Sequence, residues 1–407
     1  PVYFPQKNVL GMEDSMLKAI LFDMDGVIID SEPLHAKAAV NAMKKFGITI
    51  TTDFCYSFIG STAKHMLEVI KEKWNLSSSI EELMSANEEA KKELLQQAGY
   101  PGIKGIRPLM EALNNDGYKI AIASSSPIED ILDTVERLQL GSFVKKTVSG
   151  MQVAHPKPAP DIFLAAAKEL DVLPEECLVI EDSTNGLNAA KAAGMARLAF
   201  QNPNSGKQDL SSANYIVEGF DEVTPYFLYY VYQHAHNLPA VITSTSRLTV
   251  RELSLKDMQG LHNILSEPST ARFSGEPART IEELIKLHKA YIPAAYHFRG
   301  YGLWGIFLKS TGELVGRCGF ELSEAEVSPG IELGYLVGEK HRNNGYAFEA
   351  ASACLLLCNR LGLPEVFSVV QKDNPASLHL SEKLGMRAVN EILRSGNPCT
   401  VFRYDAP

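Results

Sequence analysis

Four short polar clusters, each following an apolar run, carry the residues of this chain best suited to chemistry. Phe22-Asp23-Met24-Asp25-Gly26 sets two carboxylates two residues apart, and Glu181-Asp182-Ser183 adds a second acidic pair. Ser124-Ser125-Ser126 offers hydroxyls, and Lys157 stands in His155-Pro156-Lys157-Pro158. Carboxylates gathered in this way make the hard, oxygen-rich site that Mg²⁺ takes, with water and substrate phosphate completing the octahedron. A carboxylate also attacks phosphorus covalently, which splits one hard transfer into two easier ones, and Asp23 is the candidate nucleophile. Lys157 and the metal would offset charge on the equatorial oxygens, and the Ser124 hydroxyl would hold one of them. Asp25 is placed to protonate the leaving oxygen and then to activate water or an acceptor hydroxyl. Taken singly, an Asp after a strand caps a turn and a Lys between prolines is a solvated loop residue. Four such pieces in order, each at a strand end, outweigh those readings.

A second constellation lies in the C-terminal half. The apolar run 331–337 is followed by His341-Arg342-Asn343-Asn344-Gly345-Tyr346-Ala347 and then by a long apolar helix. A strand, a basic glycine-containing turn and a helix start aim backbone N–H groups and a positive dipole end at an anion, and a pyrophosphate suits it. Gly345 permits a positive φ or close approach, and Ala347 leaves room beside the first turn. An Arg-x-x-Gly-x-Ala by itself is weak, because Gly and Asn open many helices that bind nothing.

The elements that must position these residues alternate. Short β-rich runs at 19–22, 119–123, 144–148, 178–180 and 196–200 are separated by helical stretches, the pattern of an α/β fold with a parallel sheet. In open sheets of this kind ligands bind beyond the carboxyl ends of the strands, where all four clusters fall. Residues 34–46, 63–73 and 80–97 read as helix after helix, which predicts an all-helical cap over about residues 31–100. Residues 1–15 have no periodicity and are read as a leader. An aromatic run (Tyr226, Phe227, Tyr229, Tyr230, Tyr232) leads into a polar stretch, so a first domain is expected over 16–236 and a linker over 237–245. The texture after it, 246–407, is α+β, with strands expected near 248–252, 301–308, 313–320 and 331–337 and a helix over 346–361.

At 407 residues the chain exceeds one ordinary core, which again predicts two domains. A formal net charge of −10 without a basic stretch argues against nucleic acid as partner and for small molecules, and no apolar run is long enough to imply a membrane. Six cysteines with no C-x-x-C pair and no disulfide ladder, and no secretory signal, predict a cytoplasmic protein.

The stretch from Phe22 through Gly26 to Asp30-Ser31-Glu32-Pro33-Leu34-His35, with Lys157-Pro158-Ala159-Pro160-Asp161 and Glu181-Asp182-Ser183-Thr184-Asn185-Gly186, closely resembles the haloacid dehalogenase superfamily in its β-phosphoglucomutase-like branch. The resemblance spans about residues 16–232. It implies a Rossmann-like core with a helical cap, and Mg²⁺ held by the Asp23 carboxylate, the Asp25 backbone carbonyl and Asp182, with Glu181 close by. Gly60-Ser61-Thr62-Ala63-Lys64-His65 resembles the cap's substrate loop, so Gly60, Lys64 and also His35 on the first cap helix are candidate substrate contacts. Sugar-phosphate mutases carry an arginine just after this turn where Ala63 stands here, which tilts the reading from phosphomutase to phosphatase.

Residues 242–404 resemble the GCN5-related N-acetyltransferases, on the turn above together with Asn374-Pro375-Ala376-Ser377 and Ser381-Glu382-Lys383-Leu384-Gly385. By that resemblance Arg342, Asn343, Asn344, Gly345, Tyr346 and Ala347 bind the acetyl-CoA pyrophosphate. The Leu336 and Val337 backbone would pair with the pantetheine arm, and Asn374 and Ser377 would touch the cofactor further along. Many members have a tyrosine where Ser381 stands, so the acid for the departing thiolate is Ser381 or is absent. Glu332 would deprotonate the amine substrate, a small molecule or peptide N-terminus, through water; as a cross-strand charge partner it would need no such role. The chain thus reads as a bifunctional enzyme, with a non-catalytic acetyl-CoA-binding module as the alternative for its second half.

Overall fold

The computed structural model describes residues 17–58, 63–99, 101–274, 276–322, 330–359 and 361–406. The expected leader and Gly60 lie outside them. The chain divides into two compact units between His236 and Asn237.

In the first unit β1 (Ala19–Phe22), β2 (Lys119–Ser124), β3 (Lys146–Ser149), β4 (Cys177–Glu181), β5 (Ala196–Phe200) and β6 (Tyr215–Val217) form one sheet in the order β3-β2-β1-β4-β5-β6, with every neighbour parallel. Strands covered on both faces read as continuous apolar runs, as Ala19-Ile20-Leu21-Phe22 does. Successive side chains go to opposite cores. Ile20, Phe22, Ile120, Ile122, Leu178 and Ile180 pack with Leu109, Met110, Leu228 and Val231, whereas Ala19, Leu21, Ala121, Ala123 and Val179 pack with Phe163, Ala166 and Ala189.

The helices of this unit are α1 (Ser31–Lys45), α2 (Thr52–Tyr56), α3 (Ala63–Lys73), α4 (Ile80–Ala98), α5 (Ile106–Asn115), α6 (Ile128–Arg137), α7 (Asp161–Glu169), α8 (Thr184–Ala192) and α9 (Pro225–Ala235). The first four form the helical cap, inserted between β1 and β2 with a core of its own built from Ala38, Ala42, Met43, Leu67, Ile70 and Leu83. Ser79 and Glu82 start α4 with reciprocal bonds, the Glu82 N–H to Ser79 Oγ at 3.1 Å and the Ser79 N–H to Glu82 Oε2 at 2.8 Å.

The second unit holds a mixed sheet of β7 (Val241–Ser244), β8 (Leu248–Arg251), β9 (Leu303–Leu308), β10 (Leu314–Leu322), β11 (Ile331–Val337), β12 (Glu365–Gln371), β13 (Arg387–Arg394) and β14 (Asn397–Asp405), in the order β13-β14-β12-β11-β10-β9-β8-β7. Its helices are α10 (Met258–Leu265), α11 (Pro268–Ser274), α12 (Ile281–Tyr291), α13 (Tyr346–Leu355) and α14 (Pro375–Lys383), and Ile292–Arg299 is a π-helix. Two expectations are corrected here. Part of the expected linker is β7, whose Val241, Thr243 and Ser244 pair antiparallel with β8, with a register shift at Ile242. The helix expected over 346–361 stops at Leu355, and residues 356–359 are turns ahead of Gly362, whose φ is +66°.

β11 and β12 are parallel, and among the described residues they pair only at Glu332↔Phe367. Beyond that pair β11 keeps its bonds to β10 through Arg317↔Leu336 and Gly316↔Val337. The edge of β11 that faces β12 therefore opens toward Leu336 and Val337, and it offers backbone groups to an extended ligand.

Candidate active sites on the two units

In the first unit the polar residues gather where the strand order reverses, between β1 and β4. Asp23 continues β1, its N–H donating to Ile180 O at 3.0 Å, and Asp182 follows β4. Asp23, Glu181 and Asp182 are buried, and their oxygens lie within 4.8 Å of one another. Lys157 reaches the same point: Nζ lies 2.5 Å from Asp23 Oδ1 and 2.8 Å from Glu181 Oε1.

One ammonium against three carboxylates leaves excess negative charge in a buried place. Burial pushes Asp23 well above the ordinary carboxylate range; the Lys157 ammonium opposes the shift, and Glu181, Asp182 and Asp25 add to it. Burial and the Glu181 charge push Asp182 up to about 7, against the bond from Ser205. For Lys157, burial favours the neutral amine, but Asp23 and Glu181 outweigh it and hold the ammonium above its usual range. Hard oxygens with too little positive charge among them fit Mg²⁺.

Glu181 belongs to the same carboxylate cluster as Asp23 and Asp182, and both its oxygens already have partners. Its Oε2 accepts from the N–H groups of Asp182 and Ser183, each at 2.8 Å, and from Ser183 Oγ at 2.9 Å, while Oε1 holds Lys157. Both oxygens are occupied, so its geometry is that of an organiser. The backbone there leaves no room for more: a Cβ on Gly186 would collide with Glu181, and one on Gly26, at φ +81°, with Asp182.

Asp25 is half-buried, and its Oδ2 accepts from Ser126 Oγ at 2.7 Å and Ser124 Oγ at 3.3 Å. Ser124 also takes the Ser126 N–H at 3.0 Å. Ser126 was not singled out within its serine run, and neither was Ser205, whose hydroxyl bonds Asp182 Oδ2 from the loop after β5. In the same loop Asn202 donates to Gly26 O at 2.9 Å and Asn204 to Asp30 Oδ2 at 2.6 Å.

His35 lies half-buried on α1. Burial lowers its pKa, the Lys91 charge lowers it further, and Asp25 acts in the opposite sense, which sets it at the cap–core junction. Lys91 of the cap pairs with Asp130 of the core at 3.5 Å. Lys64 is exposed and lies 4.0 Å from Glu68.

In the second unit Gly345 (φ +78°) opens α13 and Asn343 (φ +61°) precedes it, both in the left-handed region. The first N–H groups of α13, at Tyr346 and Ala347, have no intrahelical acceptor, as at any helix start. Asn344 Nδ2 donates to Arg342 O at 3.0 Å and folds the turn. Arg342 does not present its charge to this cradle. Its guanidinium bonds Val337 O at 3.0 Å and the hydroxyls of Ser269 and Thr270, each at 2.6 Å. Arg247 stands there in its place: Nη2 lies 3.5 Å from where a Gly345 Cβ would be, and the guanidinium sits 4.7 Å from the Tyr346 ring centre. Arg247 is paired to Glu349 at 2.6 Å, and the helix-start cradle with the open edge of β11 fits a pyrophosphate carrying an extended amide arm.

Asn374 caps α14, accepting the Ser377 N–H at 3.2 Å. Glu332 is directly opposite Glu321 on β10 and is paired to Arg394 at 2.7 Å, so the charge-partner role is met, with Arg394 as the partner. Ser381 is fully buried on the inner side of α14 and does not face an open site.

Comparison with known proteins agrees with this division. Residues 20–200 match the haloacid dehalogenase-like hydrolase family and residues 247–387 the acetyltransferase (GNAT) domain. The chain is 32% identical over 182 residues to the phosphorylated carbohydrates phosphatase of Thermotoga maritima, covering 45% of this chain and 84% of that protein. It is 31% identical over 185 residues to the β-phosphoglucomutase of Bacillus subtilis, covering 44% of this chain and 81% of that one. The structure of a GNAT-family acetyltransferase from Bacillus anthracis aligns with 23% identity and a TM-score of 0.35, over 40% of this chain and 97% of that one. This chain belongs to the haloacid dehalogenase-like hydrolases through its first unit and carries a GNAT acetyltransferase domain as its second.

Proposed function

We propose that the first unit is a Mg²⁺-dependent phosphatase acting on a small phosphorylated metabolite through a phospho-aspartate on Asp23. The observation that carries this is the buried set of Asp23, Lys157, Glu181 and Asp182, in which one ammonium faces three carboxylates, beside an Asp25 held by two serine hydroxyls. Asp23, Asp182 and the Asp25 carbonyl would hold the ion, which supplies the charge that lets an anionic carboxylate meet an anionic phosphoryl group. Asp23 attacks phosphorus, the bond to the leaving oxygen breaks, and Asp25 gives that oxygen its proton. Asp25 then takes a proton from water, the water attacks the acyl phosphate, and Asp23 is regenerated as phosphate leaves. Lys157, with its charge secured by Asp23 and Glu181, screens the phosphoryl oxygens.

Both a carbohydrate phosphatase and a β-phosphoglucomutase are among the relatives. Ala63, at the place where sugar-phosphate mutases carry arginine, favours hydrolysis. Assay of a panel of sugar and polyol phosphates, with and without Mg²⁺, tests the reading. Phosphate release that requires Mg²⁺ supports it, and conversion of a hexose 1-phosphate to its 6-phosphate without net release assigns a mutase instead.

For the second unit we infer acetyl transfer from acetyl-CoA to an amine. The anion cradle at Gly345–Ala347, with the adjacent open edge of β11, supports it. Glu332 would accept the amine proton through water. Acetyl-CoA binding without release of CoA thiol for any amine would leave a binding module. With six unpaired and buried cysteines, the chain is assigned to a reducing compartment such as the cytoplasm.

A further inference from the structure

The departing thiolate of acetyl transfer needs a proton, and the helix residue expected to give it, Ser381, is fully buried. Another hydroxyl stands beside it. Tyr335, on β11, donates to Ser377 O at 3.2 Å and lies 3.4 Å from Ser381 Oγ. Its side chain thus reaches from β11 to α14, which packs on β12, the strand that pairs with β11 at Glu332↔Phe367. Ser381 is closed in by this contact, whereas Tyr335 itself is only half-buried.

We propose that Tyr335 is the general acid of this unit, delivering its phenolic proton to the CoA sulfur from β11 in place of a group on α14. This rests on the reading of the unit as an active acetyltransferase. In the step, the neutral amine nitrogen bonds to the thioester carbon and the C–S bond breaks. The sulfur takes the Tyr335 proton, and the amide nitrogen loses its own through water to Glu332. The proton on Glu332 then returns through water to the Tyr335 phenolate, so amine and thioester become amide and thiol and both side chains regain their starting states. Burial keeps the Tyr335 hydroxyl above the usual tyrosine range, offset in part by the bond to Ser381, so it stays protonated at neutral pH.

The test uses the full-length protein with 3-fluorotyrosine placed at position 335 alone. The ¹⁹F resonance should move on adding CoA and stay in place with 3′-phosphoadenosine diphosphate, which lacks the arm and the thiol. In parallel, CoA release from acetyl-CoA is followed with a panel of peptide N-termini and small primary amines. Tyr335→Phe should lower kcat by about 10²-fold or more with the calorimetric Kd for acetyl-CoA unchanged, while Ser381→Ala, which removes only a neighbour of that hydroxyl, should lower it far less. A ¹⁹F resonance blind to CoA, a Tyr335→Phe enzyme at full rate, or one that has also lost acetyl-CoA binding overturns the role of Tyr335. If the parent binds acetyl-CoA and releases no thiol with any amine, the acetyltransferase reading itself fails, and this inference falls with it.

Discussion

Lys157 Nζ stands 2.5 Å from Asp23 Oδ1, so the proposed nucleophile is already paired with a cation in the folded chain. Removing one partner of a buried pair costs about 3–5 kcal/mol because the other charge is stranded. Lys157→Met should therefore melt well below the parent in the absence of metal. Part of the loss should return as the pH is lowered, since Asp23 and Asp182 can take up protons. Thermal melts of both proteins across pH check this, and an unchanged melting point would mean that the pair adds nothing to the fold.

Asp25→Asn removes the proton donor while keeping an acceptor for the Ser126 hydroxyl, which lies 2.7 Å from Asp25 Oδ2. Turnover of a phosphate ester with a poor leaving group should fall by about 10²- to 10⁴-fold, with substrate binding retained. Steady-state kinetics read this, and an unchanged kcat would remove Asp25 from the role of acid.

A pH dependence follows from Asp182, which burial and Glu181 push up to about 7. The unfolded carboxyl titrates near about 3.9, so between that pH and the raised value the folded form holds the extra proton. The sign is that metal-free stability is lost as pH rises across this window and stays low above it. A cation that binds the ionised carboxylates competes with that proton. Added Mg²⁺ should accordingly raise the melting temperature more at about pH 8 than at about pH 6. Equal shifts at the two pH values would contradict the assignment of Asp182 as a ligand.

Gly345 has φ +78° and opens α13, so Gly345→Glu brings both backbone strain and a negative charge to the proposed pyrophosphate site. Asn tolerates the left-handed region and carries no charge, which makes Gly345→Asn the control. Losing one charge-assisted bond costs about 1.5–3 kcal/mol, so acetyl-CoA affinity should drop at least about tenfold for Glu and far less for Asn. Calorimetry with acetyl-CoA checks both, and Glu binding as tightly as the parent would remove this turn from the site. Phosphatase activity should be unchanged in either variant.

Much of the first unit was legible because buried parallel strands are unbroken apolar runs and its chemistry follows them directly. β1 and β5 fall on their expected residues, and Asp23, Lys157 and Asp182 meet although they are far apart in sequence. Ser126, Ser205 and Asn202 were not legible, since a serine in a serine run or an asparagine in a polar loop carries no periodic signal. Their roles come only from where the loops after β2 and β5 return. Arg342 shows the same limit from the other side: sequence places it in the turn, and only packing shows that it is spent on Val337 O while Arg247, from the start of the domain, flanks Gly345. The β13–β14 hairpin was missed because its first strand is mostly exposed. Its signal was the turn Ser395-Gly396, with φ values of +51° and +78°.

Passage of phosphate through the Asp23 carboxylate is read directly by the rate of Mg²⁺-dependent phosphate release from Asp23→Asn. The substitution keeps the side chain's size, and the variant's circular dichroism should match the parent's. With the nucleophile gone, release of phosphate from any ester the parent hydrolyses should fall to background. Release at the parent rate by the folded Asp23→Asn protein would contradict the account.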